Sequence, residues 1–397
     1  MAVGLLVGAF LAVGVAHAQG AGGFNFDARM HDALSEPFVG LTVDGSTVPG
    51  LFSLEETGIS TEDVRLAAVR FASTLSNEQR ERLYFPIDDS EWRNWANVHL
   101  FERQGVGFDE MTEAQRDAAY AFLQTALSPR GYRTSRDIMR LNHHVAELVS
   151  NFEEYGEHLY WLTFMGTPSA TEPWGWQLDG HHLVINYFVL GDQLVMTPTF
   201  MGSEPISADS GRYAGTRIMD AEQELAVQFM RSLSGEEQGA AIVSRNKGRG
   251  NGRAAMMSDN VVIPYQGISA ARLDESQRDS LLDLIELYVS HMPAAHATLR
   301  MDEIRAHLDE TYFAWIGEVS DKGVFYYRVQ SPVVYIEFDH QGPVALSGPR
   351  GVPTRTHVHT TIRTPNGNDY GKDLLRLHYA RFANDPGHGH LAAVPPR

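Results

Sequence analysis

The sequence predicts an α+β protein of two related halves, each a helical layer followed by antiparallel strands, packed about a pseudo-two-fold axis. Two observations predict it. A set of motifs returns after about 160 residues, and in both copies helical periodicity gives way to aromatic-rich alternating runs. Ala68-Val69-x-Phe71 with Leu75-Ser76-x-Glu78 recurs as Ala226-Val227-x-Phe229 with Leu233-Ser234-x-Glu236. Gly105-Val106 before Met111-Thr112-Glu113-Ala114-Gln115-Arg116-Asp117 recurs as Gly267-Ile268 before Leu273-Asp274-Glu275-Ser276-Gln277-Arg278-Asp279.

Taken in order, Ala2 to Val15 is an apolar run, and Ala16-His17-Ala18 fits a small-x-small cleavage site, so 1–18 reads as a secretory signal. The run is too short to span a membrane, and no membrane insertion is expected after its removal. Residues 19–59 form an N-terminal extension. The first half, 60–215, has Thr112 as a helix N-cap and an amphipathic helix over Ala118 to Leu127. Strands follow over Trp176-Gln177-Leu178 and from His182 to Phe188, and the run from Thr197 to Pro205 reads as a loop. The second half, 216–384, repeats the plan: an N-cap at Asp274, a helix over Leu281 to Val289, and strands over Tyr327-Arg328-Val329 and Val333 to Asp339. It then adds a strand from Thr356 to Arg363 and a helix from Asp373 to Phe382. Residues 385–397, with His388 and His390, form a flexible Gly/Pro-rich tail.

Composition narrows the chemistry. There is no cysteine, so thiolate metal sites, disulfides and cysteine nucleophiles are excluded. A formal net charge of −18 argues against nucleic acid as a partner. The basic cluster Arg245 to Arg253 is rich in glycine and reads as a mobile loop. No G-x-S-x-G elbow, dinucleotide fingerprint or phosphate-binding loop occurs.

One strand stands out. In Thr356-His357-Val358-His359-Thr360-Thr361-Ile362-Arg363, alternation sets His357, His359, Thr361 and Arg363 on one face. After the Gly/Pro-rich loop from Gln341 to Thr354 this strand returns antiparallel to the one bearing Glu337 and Asp339. The candidate metal ligands are therefore His357 and His359, a carboxylate from Glu337 or Asp339, and His182 from across the pseudo-two-fold. Neutral imidazoles with one carboxylate suit a divalent transition metal, zinc first, with copper or iron as alternatives. Asp369 or His181 would move protons. Arg363 would clamp an anionic group of the substrate, or else pair with Asp369 or Asp373 to shape the turn.

Trp174-Gly175-Trp176, Gly180-His181-His182-Leu183, Thr197-Pro198-x-Phe200-x-Gly202, Glu337-Phe338-Asp339, His357-x-His359 and Asn368-Asp369-Tyr370-Gly371-x-Asp373-Leu374-Leu375 together resemble a bacterial family. It is known as a domain of unknown function, the DUF-thirty-five-hundred type. The resemblance covers nearly the whole mature chain. It implies that the His-His and His-x-His segments belong to one framework, and it carries no reaction with it. The function expected from the residues is an exported metal-dependent hydrolase acting on a small organic substrate. A copper or iron oxidoreductase and a periplasmic ligand-binding protein without catalysis are the alternatives.

Overall fold

A computed structural model describes residues 26–383. The expected signal, its cleavage site and the tail histidines His388 and His390 lie outside the described residues. After α1 (Phe26–Ser35) come two helices, α2 (Glu62–Thr74) and α3 (Asn77–Leu83), and two short strands, β1 (Tyr84–Phe85) and β2 (Val106–Gly107). Helices α4 (Glu113–Ala126) and α5 (Pro129–Val149) precede β3 (Tyr160–Met165), β4 (Trp174–Gly180), β5 (Leu183–Leu190), β6 (Gln193–Val195) and β7 (Thr199–Ser203).

The order then runs α6 (Asp220–Ser232), α7 (Gly235–Ala241), β8 (Ile242–Ser244), β9 (Ile268–Ser269), α8 (Glu275–Val289) and α9 (Ala294–Ala306). Four strands and a helix complete it: β10 (Tyr312–Gly317), β11 (Phe325–Gln330), β12 (Tyr335–His340), β13 (Val358–Arg363) and α10 (Lys372–Arg381).

Local chemistry sets the helix starts. Thr112 and Asp274 each accept from the backbone N–H of the glutamine three residues on, and that glutamine's side chain accepts from the capping residue's own N–H. Two donors that would otherwise be stranded are satisfied reciprocally at each start.

All strands join one 13-stranded sheet, ordered β1-β3-β4-β5-β7-β13-β12-β11-β10-β8, with β2, β6 and β9 paired at its margins. The central pair is β7 against β13, antiparallel, with Gly202 opposite His359 and Phe200 opposite Thr361. The run from Thr197 to Pro205 is therefore not a loop. Its prolines stand outside the ladder at each end, Thr199–Ser203 pairs with β13, and Thr199 to Met201 also pairs with β5. Because β12 also pairs with β13, strands from before and after residue 216 share a single sheet.

Alternation gives the sheet two different faces. One face carries Phe164, Trp176, Leu178, Ile185, Met201, Ile336, Phe338 and Trp315, buried with Phe71, Phe122, Phe229 and Leu284 of the helices in the main core. The other carries Gln177, Asp179, Asn186, His359, Thr361, Arg363, Glu337 and Asp339, polar residues that are nevertheless mostly buried. What covers that face is largely irregular chain together with α10. A second core there joins Trp92, Trp95, Val184, Phe188, Phe200, Tyr370 and Leu374. No helix among the described residues is long and apolar enough to cross a membrane.

Candidate metal centre

The turn between β4 and β5 and the start of β13 meet on the polar face. Gly180 pairs with Leu183, leaving His181 and His182 as a two-residue turn. His182 has φ of +63°, a left-handed conformation that costs a non-glycine residue free energy and that histidine tolerates better than most. Its backbone is held on both sides: its N–H donates to Asn97 O at 3.2 Å, and its carbonyl accepts from Gly202 N at 2.9 Å. Gly202 lies under the ring of His359. A Cβ there would meet Val358 O at 2.4 Å and the His359 ring at 3.3 Å.

The Nε2 atoms of three histidines converge: His182 to His359 at 3.1 Å, His182 to His357 at 3.3 Å, and His357 to His359 at 3.0 Å. His182 and His357 are buried, and His359 is half-buried. This triad could hold a metal ion. Zinc–nitrogen bonds of about 2.0–2.1 Å with tetrahedral angles set ligand nitrogens about 3.3–3.4 Å apart, close to the triangle observed.

The protons argue the same way. His357 Nδ1 lies 2.8 Å from Gly342 O, which only an N–H can satisfy, so the neutral ring presents the Nε2 lone pair inward. In a ring of three nitrogens, each either donor or acceptor, donors and acceptors cannot alternate. At least one edge pairs like with like, and a cation at the centre removes that conflict. Burial, reinforced by the neighbouring rings, holds His182 and His359 well below the usual imidazole range. Burial also lowers His357, against the opposing pull of Glu204 and the Gly342 carbonyl. Neutral rings are the form that ligates metal.

His181 does not turn into the triad. Its ring stacks on His182 with centroids 4.0 Å apart, and its Nδ1 is 2.8 Å from Asn142 Oδ1. It backs the His182 ring. Beside it lie His99, at 5.3 Å, and Tyr155, at 5.4 Å between centroids.

Glu337 does not reach the triad either, although it shares the face. Its carboxylate accepts from the backbone N–H groups of Arg253 and Ala254 and from the hydroxyls of Tyr326 and Tyr335. Asp339, opposite His359 on the neighbouring strand, accepts from Asn251 N and Gly252 N and pairs with Lys247 Nζ at 2.8 Å. The glycine-rich segment expected to be a mobile loop is thus fastened to the sheet, because strand carboxylates meet its exposed N–H groups.

Arg363 and Asp369 form a separate network. Arg363 is fully buried and donates to Ala254 O, Ala255 O, Asp259 Oδ1 at 2.7 Å and Asp369 Oδ2 at 3.2 Å. Asp259 also pairs with Arg93 at 2.8 Å, and Asp369 accepts from Thr364 N. A guanidinium so enclosed joins segments of the protein to one another rather than to a substrate.

Glu204, two residues beyond Gly202, is the group sequence reasoning missed. It is buried, accepts from the N–H groups of Val344, Ala345 and Leu346, and comes within 3.6 Å of His357 Nδ1. The available signal was an acidic residue just past the segment now known to pair with the His-x-His strand. Two clefts of about 380 and 750 Å³ lie elsewhere, and neither is lined by a triad residue.

The family model described as Protein of unknown function (DUF3500) matches residues 57–372, a span that includes all three histidines of the triad. The chain belongs to this DUF3500 family. No curated protein and no solved structure matches it. The matched span also holds Glu204, Glu337 and Asp339, so the triad and the carboxylates around it fall within one DUF3500 unit.

Proposed function

We propose that this DUF3500 protein is an exported metal-dependent hydrolase whose zinc is held by His182, His357 and His359. The observation that carries this is the Nε2 triangle with edges of 3.0–3.3 Å. Zinc on three neutral imidazoles supplies an open coordination position and a nucleophilic water at neutral pH. The protein's own groups orient and enclose. Gly342 O fixes the His357 tautomer, His181 stacks beneath His182, and Gly202 makes room for His359. At the side of the site His99 lies 3.4 Å from both Tyr155 OH and Glu154. It is the histidine outside the triad best placed to carry a proton toward solvent. In this reading the substrate is a small organic molecule.

We further propose that the halves descend from one unit. What supports this is the strand order, which reads the same from either edge. β1 runs parallel to β3 as β8 does to β10, and β2 runs antiparallel to β3 as β9 does to β10. The metal would then sit beside the β7–β13 seam, with ligands from both halves.

Elemental analysis of untagged protein tests the reading. About one equivalent of zinc is expected. Under a tenth of an equivalent of any transition metal, with no thermal stabilisation on adding zinc, would overturn it.

A further inference from the structure

The segment fastened by Glu337 and Asp339 reaches the triad through Gly342, on the Nδ1 side of His357. Gly342, whose carbonyl accepts from His357 Nδ1, donates its own N–H to Arg249 O at 3.1 Å. The Arg249 side chain lies against the same residue, since a Cβ on Gly342 would be 3.3 Å from Arg249 Cγ. Arg249 is exposed, and among the described residues its guanidinium has no carboxylate or carbonyl partner. In the same segment Lys247 is neutralised by Asp339, and Arg253 donates to Val262 O. Arg245 of the segment is likewise exposed, but Arg249 is the one whose main chain and Cγ both meet the glycine that holds His357.

The surroundings add an apolar side. Tyr155 packs against His181, and Ala345 packs with Tyr155 and Val145 in a small separate cluster. Val344, whose N–H binds Glu204, is 54 % exposed, and Leu100, next to His99, is 68 % exposed. Arg249 and the exposed Val344 thus stand on the loop whose Gly342 carbonyl holds His357.

We propose that Arg249 is the substrate-recognition residue of this centre, and that the substrate class is a small carboxylate with an apolar or aromatic body. The carboxylate pairs with the guanidinium, which offers two parallel N–H donors, while the apolar body lies against the exposed Val344, two residues beyond Gly342. The substrate class rests on the metal-centre reading, but the binding of the anion does not.

Benzoate, acetate and inorganic phosphate titrated calorimetrically into zinc-loaded and metal-free protein test it, with Arg249→Gln as the variant. Its loop anchors are backbone N–H groups, so the fold is expected to persist, which circular dichroism checks. Arg350→Gln, on the neighbouring loop, is the control. Expected are benzoate binding at least tenfold tighter than acetate or phosphate, a tenfold or greater loss in Arg249→Gln, and unchanged zinc affinity. Wild-type benzoate binding in Arg249→Gln, or an equal loss in Arg350→Gln, would overturn the role of Arg249. Equal binding of acetate and benzoate, or tighter binding of phosphate, would overturn the substrate class. Protein that takes up no zinc yet binds benzoate through Arg249 would overturn the metal reading alone.

Discussion

His182 and His357 are separated by 175 positions in the chain, yet their Nε2 atoms stand 3.3 Å apart. The contact exists because β7 pairs with β5 on one side and β13 on the other, bringing the β4–β5 turn and the start of β13 to one end of the sheet. Several consequences of this convergence can be measured.

Removing one ligand should remove the metal. His182→Ala, His357→Ala and His359→Ala are each expected to bind zinc far more weakly than wild type. A site filled at a hundred times its dissociation constant adds about 2.7 kcal/mol to stability. Thermal unfolding with and without zinc should therefore show a rise in wild type that each variant lacks. A full zinc-induced rise in His359→Ala would place the metal elsewhere.

Gly202→Ala probes the same site through space rather than chemistry. The new Cβ would collide with Val358 O at 2.4 Å and crowd His359, so either the central strands part or the ring moves. Groups that orient metal ligands typically govern about 10–100-fold in affinity. A loss of that size is expected, measured by competition with a chelating dye.

Arg363→Met should fail as a fold mutation, not as a substrate-binding one. It leaves Asp259 and Asp369 facing a vacated partner in a fully buried site, a change that typically costs about 3–5 kcal/mol. Chemical denaturation should show that loss. Normal stability with weakened substrate binding would restore the clamp role.

Acid sensitivity should be traceable to His291, far from the triad in sequence. Its ring is buried, neither nitrogen has a hydrogen-bond partner among the described residues, and burial lowers its pKa to about 3. The unfolded chain, with an ordinary imidazole, takes up a proton below about pH 6.5 that the folded chain refuses. Stability present above that pH is lost as pH falls toward 3, by up to about 1.4 kcal/mol per unit. His291→Leu should leave stability at pH 7.5 nearly unchanged and flatten its decline between pH 6.5 and 4.5. An undiminished slope would assign the effect to other groups.

How much of this was legible in the residues differs by scale. Alternation placed His357, His359 and Arg363 on one face, and the recurrence of the helix-capping segments anticipated helices capped at Thr112 and Asp274. His182 was legible as a partner only through the matching of strands between halves. Periodicity names a face but not its occupants, so Glu337 looked like a ligand. In fact backbone N–H groups 80 residues upstream had already claimed it, as 84 positions separate it from Arg253. The strand Thr199–Ser203 was hidden because two flanking prolines look like loop chemistry. Glu204 was hidden because its partners, Val344 to Leu346, contribute only main chain, which leaves no mark in side-chain pattern.

That last property has a consequence for how the site is built. Glu204, Glu337 and Asp339 grip the segments around the centre largely through main-chain N–H groups. Side chains at Arg249, Val344 or Leu346 can then be exchanged without loosening the attachment. The scaffold separates what holds the walls from what the walls display, so the surroundings of the triad can be changed by point substitution while the frame stays fastened.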